Sequence, residues 1–176
     1  MKLGDGGVQR QERDRSINYN NIYILGRDSK EKTAILVAGG TNATKYWPVT
    51  DAGYGKGSYD TTTSVELLLL DPKTGKVSQS CILPDMPEKR YSPTVGGNIV
   101  CGGYDLDNKK TLNTCRSLTK GQWIETKLIS ARSSATLWKI CDGSVILFGG
   151  GSNAVELVDT KKQTTKNLFN VNDYFK

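Results

Sequence analysis

Three apolar runs in this chain end the same way: Ile35-Leu36-Val37-Ala38-Gly39-Gly40, Ile99-Val100-Cys101-Gly102-Gly103 and Val145-Ile146-Leu147-Phe148-Gly149-Gly150. A buried strand that stops on a glycine pair is a strong local event. A run of such events at spacings of about 63 and 47 residues is an internal repeat, and a repeat constrains the fold before anything else does. The matches extend on both sides of each pair. Arg90-Tyr91-Ser92-Pro93-Thr94 and a turn at Gly96-Gly97-Asn98 precede the second. Arg132-Ser133-Ser134-Ala135-Thr136 and a turn at Asp142-Gly143 precede the third. Downstream, Val65-Glu66-Leu67 runs into the turn Asp71-Pro72-Lys73-Thr74-Gly75. Val155-Glu156-Leu157 runs into Asp159-Thr160-Lys161-Lys162, and Thr114-Cys115-Arg116-Ser117-Leu118 into Lys120-Gly121-Gln122-Trp123.

Each unit therefore reads as four strands, two flanking a short hairpin before the glycine pair and two after it. The expected strands are 20–25, 34–38, 63–70 and 76–81; then 91–95, 98–102, 111–118 and 122–128; then 133–140, 144–148, 154–159 and 164–169. No long stretch shows 3.6-residue periodicity, and the 19 Gly suit many short strands joined by turns. The chain divides into a polar tail at 1–15, expected to be disordered, and units at 16–81, 82–129 and 130–176. The first unit carries a long loop at 41–62. An isolated four-stranded sheet leaves two open faces, which propellers close by stacking sheets face to face around an axis, usually four to eight of them. Three units fall short of that number. The expected fold is all-β: a β-propeller fragment of about three four-stranded antiparallel blades, an open arc whose terminal blades expose apolar faces and promote association.

The blade pattern resembles the kelch-repeat family over roughly residues 20–170. Gly102-Gly103 followed by Trp123 matches best. In the first unit Leu70 and Val77 replace the aromatics of the family pattern, and Val158 and Thr165 replace them in the third. The stretch Cys81 to Arg90, with Cys101-Gly102-Gly103, Thr114-Cys115 and Gly121-Gln122-Trp123, is similar to cysteine-bearing animal kelch proteins of extracellular type. That resemblance implies export of the parent protein, although Met1 to Arg15 lacks the apolar segment of a signal peptide.

The chain contains no His. It therefore cannot build a Ser-His-Asp triad, a Cys-His pair or the copper site of the galactose-oxidase-like enzymes that share the kelch fold. None of Cys81, Cys101, Cys115 and Cys141 sits in a C-x-x-C pair, so neither metal nor cofactor is expected. The net charge of +6 is spread out and lacks the basic stripe that nucleic acid requires. No apolar run is long enough to span a membrane as a helix. The expected function is a non-catalytic protein-interaction module. The alternatives are an enzyme on the same scaffold without the copper site and a fragment with no independent function.

Three groups of residues are candidates for function. Loop 41–62 carries Tyr46, Trp47, Tyr54 and Tyr59 among Gly and Ser, the composition of a binding loop, and Asn42-Ala43-Thr44 is a glycosylation sequon. Tyr104 opens the corresponding loop of the second unit. Arg90 and Arg132 stand where the chain enters the innermost strand, and either face a ligand at the central mouth or donate to backbone carbonyls between blades. Finally, a hairpin centred near residue 108 places Cys101 opposite Cys115, adjacent in any case and bonded if the protein is exported. Cys81 and Cys141 are expected to be unpaired.

Overall fold

The computed structural model describes residues 22–27, 33–39, 41–42, 60–71, 73–140 and 143–173. The tail 1–15, Tyr46, Trp47, Tyr54, Tyr59 and Cys141 lie outside the described residues, as do Ala43 and Thr44 of the sequon. Among the described residues the chain is all-β, with three four-stranded antiparallel sheets and two two-stranded ribbons. Among the described residues no helix is long and apolar enough to cross a membrane. The first sheet runs β1 (Ile22–Arg27), β2 (Thr33–Ala38), β5 (Val65–Leu70), β6 (Val77–Leu83). The second runs β7 (Thr94–Gly96), β8 (Ile99–Cys101), β11 (Thr114–Thr119), β12 (Gln122–Lys127). The third runs β13 (Ala135–Lys139), β14 (Ser144–Gly149), β15 (Ala154–Asp159), β16 (Thr164–Asn170). In each, four strands follow one another in chain order.

Two boundaries differ from expectation for a physical reason. The first strands of the second and third sheets begin at Thr94 and Ala135, not at 91 and 133. Ser92 and Ser134, each two residues after its arginine, hold φ of 48° and 53°, a left-handed kink that no strand can contain. The kinks touch, since Ser134 N donates to Ser92 O at 2.9 Å. The third strands of the first two sheets also start late, at Val65 and Thr114. The chain between second and third strands first forms small ribbons, β3 (Thr41–Asn42) with β4 (Asp60–Thr61) and β9 (Tyr104–Asp105) with β10 (Lys110–Thr111). The third sheet has no such ribbon.

The registers between second and third strands show that the sheets are equivalent residue by residue there. Ala38 pairs with Val65, and Cys101 with Cys115. In the third sheet Leu147 pairs with Glu156, which carries the same alignment to Phe148 and Val155. Alternation then sends successive side chains to opposite faces. Leu36, Ala38 and Val65 of the first sheet bury against Val95 and Val100 of the second, with Met86 among them. Ile99, Cys101 and Cys115 of the second sheet bury against Val145, Leu147 and Val158 of the third, with Leu128. The second sheet thus uses its forward face on the third sheet and its rear face on the first. The three stack in chain order around two apolar layers, whose burial is the main favourable term in holding them.

The outer strands are tied at one repeated position. Trp123 on β12 donates its indole N–H to Pro84 O, just past β6, at 2.8 Å. Thr165 on β16 donates its hydroxyl to Lys127 O, at the end of β12, at 2.6 Å. Pairing of Trp123 with Leu118 and of Thr165 with Val158 places both donors at the same point of their sheets. Threonine replaces the aromatic ring and keeps the hydrogen bond.

Candidate functional site

The glycine pairs, the two arginines and the connections after the second strands meet at one end of the stack. Glycine is required there because backbone passes too close for a side chain. A Cβ on Gly39 would lie 3.0 Å from Arg90 O, and one on Gly102 would lie 2.3 Å from Arg132 O. Gly39 and Gly102 thus seat the carbonyl of the next sheet's arginine. Gly103 and Gly150 seat the lead-in of their own sheets: a Cβ on Gly103 would lie 3.0 Å from Tyr91 O, and one on Gly150 2.7 Å from Ser133 O.

Arg90 is fully buried. Its Nη1 donates to Gly102 O at 2.6 Å and Thr114 O at 2.9 Å, and its Nη2 donates to Thr114 Oγ1 at 2.7 Å. Its charge is balanced by Glu88, which also accepts from Arg116 Nε at 2.9 Å. Arg116 in turn pairs with Glu125 at 2.6 Å. Burial draws the Arg90 pKa below its ordinary value against the opposing charge of Glu88. Burial pushes the Glu88 carboxyl up, but the hydrogen bond from Arg116 and the charges of Arg90 and Arg116 outweigh it, so it sits below the usual carboxylate range.

Arg132 repeats the anchor. It is fully buried, with Nη1 donating to Gly149 O at 2.9 Å and Nη2 to Ala154 O at 2.7 Å. These carbonyls correspond to those of Gly102 and Thr114. The balancing carboxylate is Glu156, also fully buried, which pairs with Arg132 and accepts the backbone N–H groups of Ile129 at 2.9 Å and Ser130 at 3.1 Å. In both arginines the Nε is buried without a partner. Arg90 and Arg132 donate to backbone carbonyls, as one of the two readings expected, but to carbonyls within one sheet rather than between sheets. Both guanidinium groups are fully buried, with their Nη donors on carbonyls of one sheet and on the balancing carboxylate, so neither is exposed to a mouth.

Cys101 and Cys115 form a disulfide with Cα atoms 4.0 Å apart. They face each other across β8 and β11, and Gly102 N donates to Thr114 O beside them. That makes them a non-hydrogen-bonded pair, the antiparallel position that brings side chains closest. Cys81 is a free thiol.

The ribbon after the second glycine pair is tied at its base and its tip. Tyr91 N donates to Tyr104 O at 2.8 Å and Tyr104 N to Tyr91 O at 2.7 Å. At the tip, Asp105 accepts from the Asn108 side chain at 2.7 Å and from the Asn108 and Asp107 backbone N–H groups at 3.0 Å. These bonds, led by the Asn108 side chain, hold its carboxyl below the usual range. Tyr104 is half-buried on the loop end, while Tyr46, Trp47, Tyr54 and Tyr59 belong to the connection whose described stem is the β3–β4 ribbon. Sequence reasoning missed Glu88, Thr114, Arg116 and Glu156. Only Glu156 left a trace, in the repeated Val-Glu-Leu.

No protein-family model matches this chain, and no curated protein is significantly similar to it.

Proposed function

We propose that the three sheets are consecutive blades of a kelch-type β-propeller arc, and that the chain is a non-catalytic module binding a protein partner through its loop end. One observation carries this reading. Every connection after a second strand starts from the same end of the stack, and these connections vary most, from a long stretch behind β3 and β4, through the β9–β10 ribbon, to the short turn 150–153. A constant, dry anchor carrying variable loops is how recognition surfaces are built on rigid scaffolds. Meander order, glycine pairs and the repeated Trp123 and Thr165 links support the kelch reading. The described Arg and Glu side chains at this end serve backbone anchoring, which favours binding over catalysis. The Cys101–Cys115 disulfide supports an oxidising, extracellular setting.

The test is deletion of residues 44–58, with Tyr46→Ala, Trp47→Ala and Tyr104→Ala in separate chains, read as partner capture from extracellular fluid or lysate. Loss of a specific captured protein with the fold intact supports the loop end. Unchanged capture contradicts it.

A further inference from the structure

Among the described residues, no sheet covers the forward face of the third sheet. Gly149 has nothing within 4 Å of a built Cβ, where Gly39 and Gly102 meet the carbonyls of the following sheet. On the same face, Trp138 is 70% exposed and Phe169 40% exposed, and Ile146 and Phe148 are only half-buried. By register, Ile146 and Phe148 stand where Ile99 and Cys101 stand in the second sheet, and those two are 1% exposed because the third sheet covers them.

The first sheet offers the missing half. Val145, Leu147 and Val158 are the rear-face residues of the third sheet, fully buried against the second. Their equivalents in the first sheet are Ile35, Val37 and Leu68, equally apolar; Ile35 and Leu68 are half-buried, and Val37 is buried at 5% exposed. Ser80 pairs with Leu68, which puts its hydroxyl where Trp123 and Thr165 donate to the preceding sheet's carbonyl. Ser80 is exposed. Asn170 on the third sheet occupies the position of the acceptors Pro84 and Lys127. The chain therefore carries, at opposite ends of one stack, both halves of an interface it makes twice internally.

We infer that two copies of this chain associate head to tail, the rear face of one first sheet on the forward face of the other's third sheet. A head-to-tail contact closes into a ring or runs on as a fibre. Two copies of the three described sheets bring six, within the range at which propeller rings close, so the product proposed for this 176-residue chain is a closed dimer. Trp138, which replaces Gly96 at the equivalent position of β7, supplies an aromatic anchor at each junction. The inference rests on the blade reading for ring closure, and not on the partner proposed for the loop end.

The test uses the full chain, Trp138→Asp and Ser80→Asp, both at exposed positions, with circular dichroism and thermal melting to confirm folding. Sedimentation is expected to give twice the 19.3 kDa chain mass for the parent and the single-chain mass for each variant alone. Mixing the two variants restores one sound junction, so a heterodimer is expected. A monomeric parent overturns the inference while leaving capture through the loop end to be decided by its own experiment. A ladder of higher masses overturns ring closure. A Ser80→Asp chain that stays dimeric while Trp138→Asp dissociates overturns head-to-tail packing in favour of two forward faces meeting.

Discussion

The second and third sheets hold the same arginine against the same two carbonyls, yet they neutralise it differently. In the third sheet the solution is a closed pair: Arg132 and Glu156 are both fully buried, and Glu156 spends its remaining oxygen capacity on two backbone N–H groups. In the second sheet the position of Glu156 is taken by Arg116. Glu88, from the linker between sheets, then serves Arg90 and Arg116 together, with Glu125 at the exposed edge. The backbone anchor is therefore the constant element of the repeat and the counter-charge is replaceable. A guanidinium that bridges two carbonyls fixes where the chain kinks into the next sheet. Any carboxylate within reach can balance it.

The comparison is broken most severely by removing the cation. Arg132→Met leaves Glu156 buried with no positive partner, and loss of one member of a buried pair costs about 3–5 kcal/mol. Arg90→Met leaves Glu88 with Arg116 and is expected to cost clearly less. Urea unfolding of the two variants measures the difference, and equal losses would mean that the two sockets are compensated alike.

A smaller effect is expected from the staple that only the second sheet carries. Replacing Cys101 and Cys115 together by Ala opens a loop with a sequence separation of 14 residues, for which chain entropy gives roughly 3 kcal/mol. The same pair of positions is Ala38 and Val65 in the first sheet and Phe148 and Val155 in the third. The disulfide therefore adds to the repeat without defining it, and the doubly substituted chain should keep its β-sheet circular dichroism.

The smallest effect concerns protons. The Glu88 carboxyl is lowered in the folded chain. It therefore contributes stability that is complete above the unfolded value of about 4.3 and is lost as pH falls through the lower folded value. Glu88→Gln should melt at a lower temperature than the parent at neutral pH. Its melting temperature should then fall less steeply between about pH 5 and pH 3, a window set by the unfolded value. Parallel curves would remove Glu88 from the account.

The glycine pairs, the order of four strands per unit and the facing cysteines were legible in the sequence, because each depends on local periodicity or on a turn that fixes register. The kinks at Ser92 and Ser134 were not, since serine carries no signal for a left-handed backbone. The ribbons were missed because two-residue strands have no periodicity to read. Glu88 was invisible for a different reason. It lies on a linker, and its partner Arg116 is 28 residues away, brought close only when β11 pairs with β8. Thr165 was noted as a departure from the aromatic pattern. Register shows that it makes the same bond as Trp123.

The claim on which all of this depends is that the first and second sheets are seated on the next by their first glycines, Gly39 and Gly102. Gly102 and Gly149 occupy equivalent positions with similar positive φ, 60° and 73°, so alanine costs each about the same backbone strain, on the order of 1 kcal/mol. They differ in surroundings: a Cβ meets Arg132 O at 2.3 Å from Gly102 and nothing within 4 Å from Gly149. Unfolding free energies of Gly102→Ala and Gly149→Ala, measured in urea at a dilution where copies are apart, isolate that contact. The account predicts that Gly102→Ala is the more destabilising by about 1–3 kcal/mol, the usual cost of forcing atoms into a packed site. Equal losses would contradict the stacking of these sheets through their glycines.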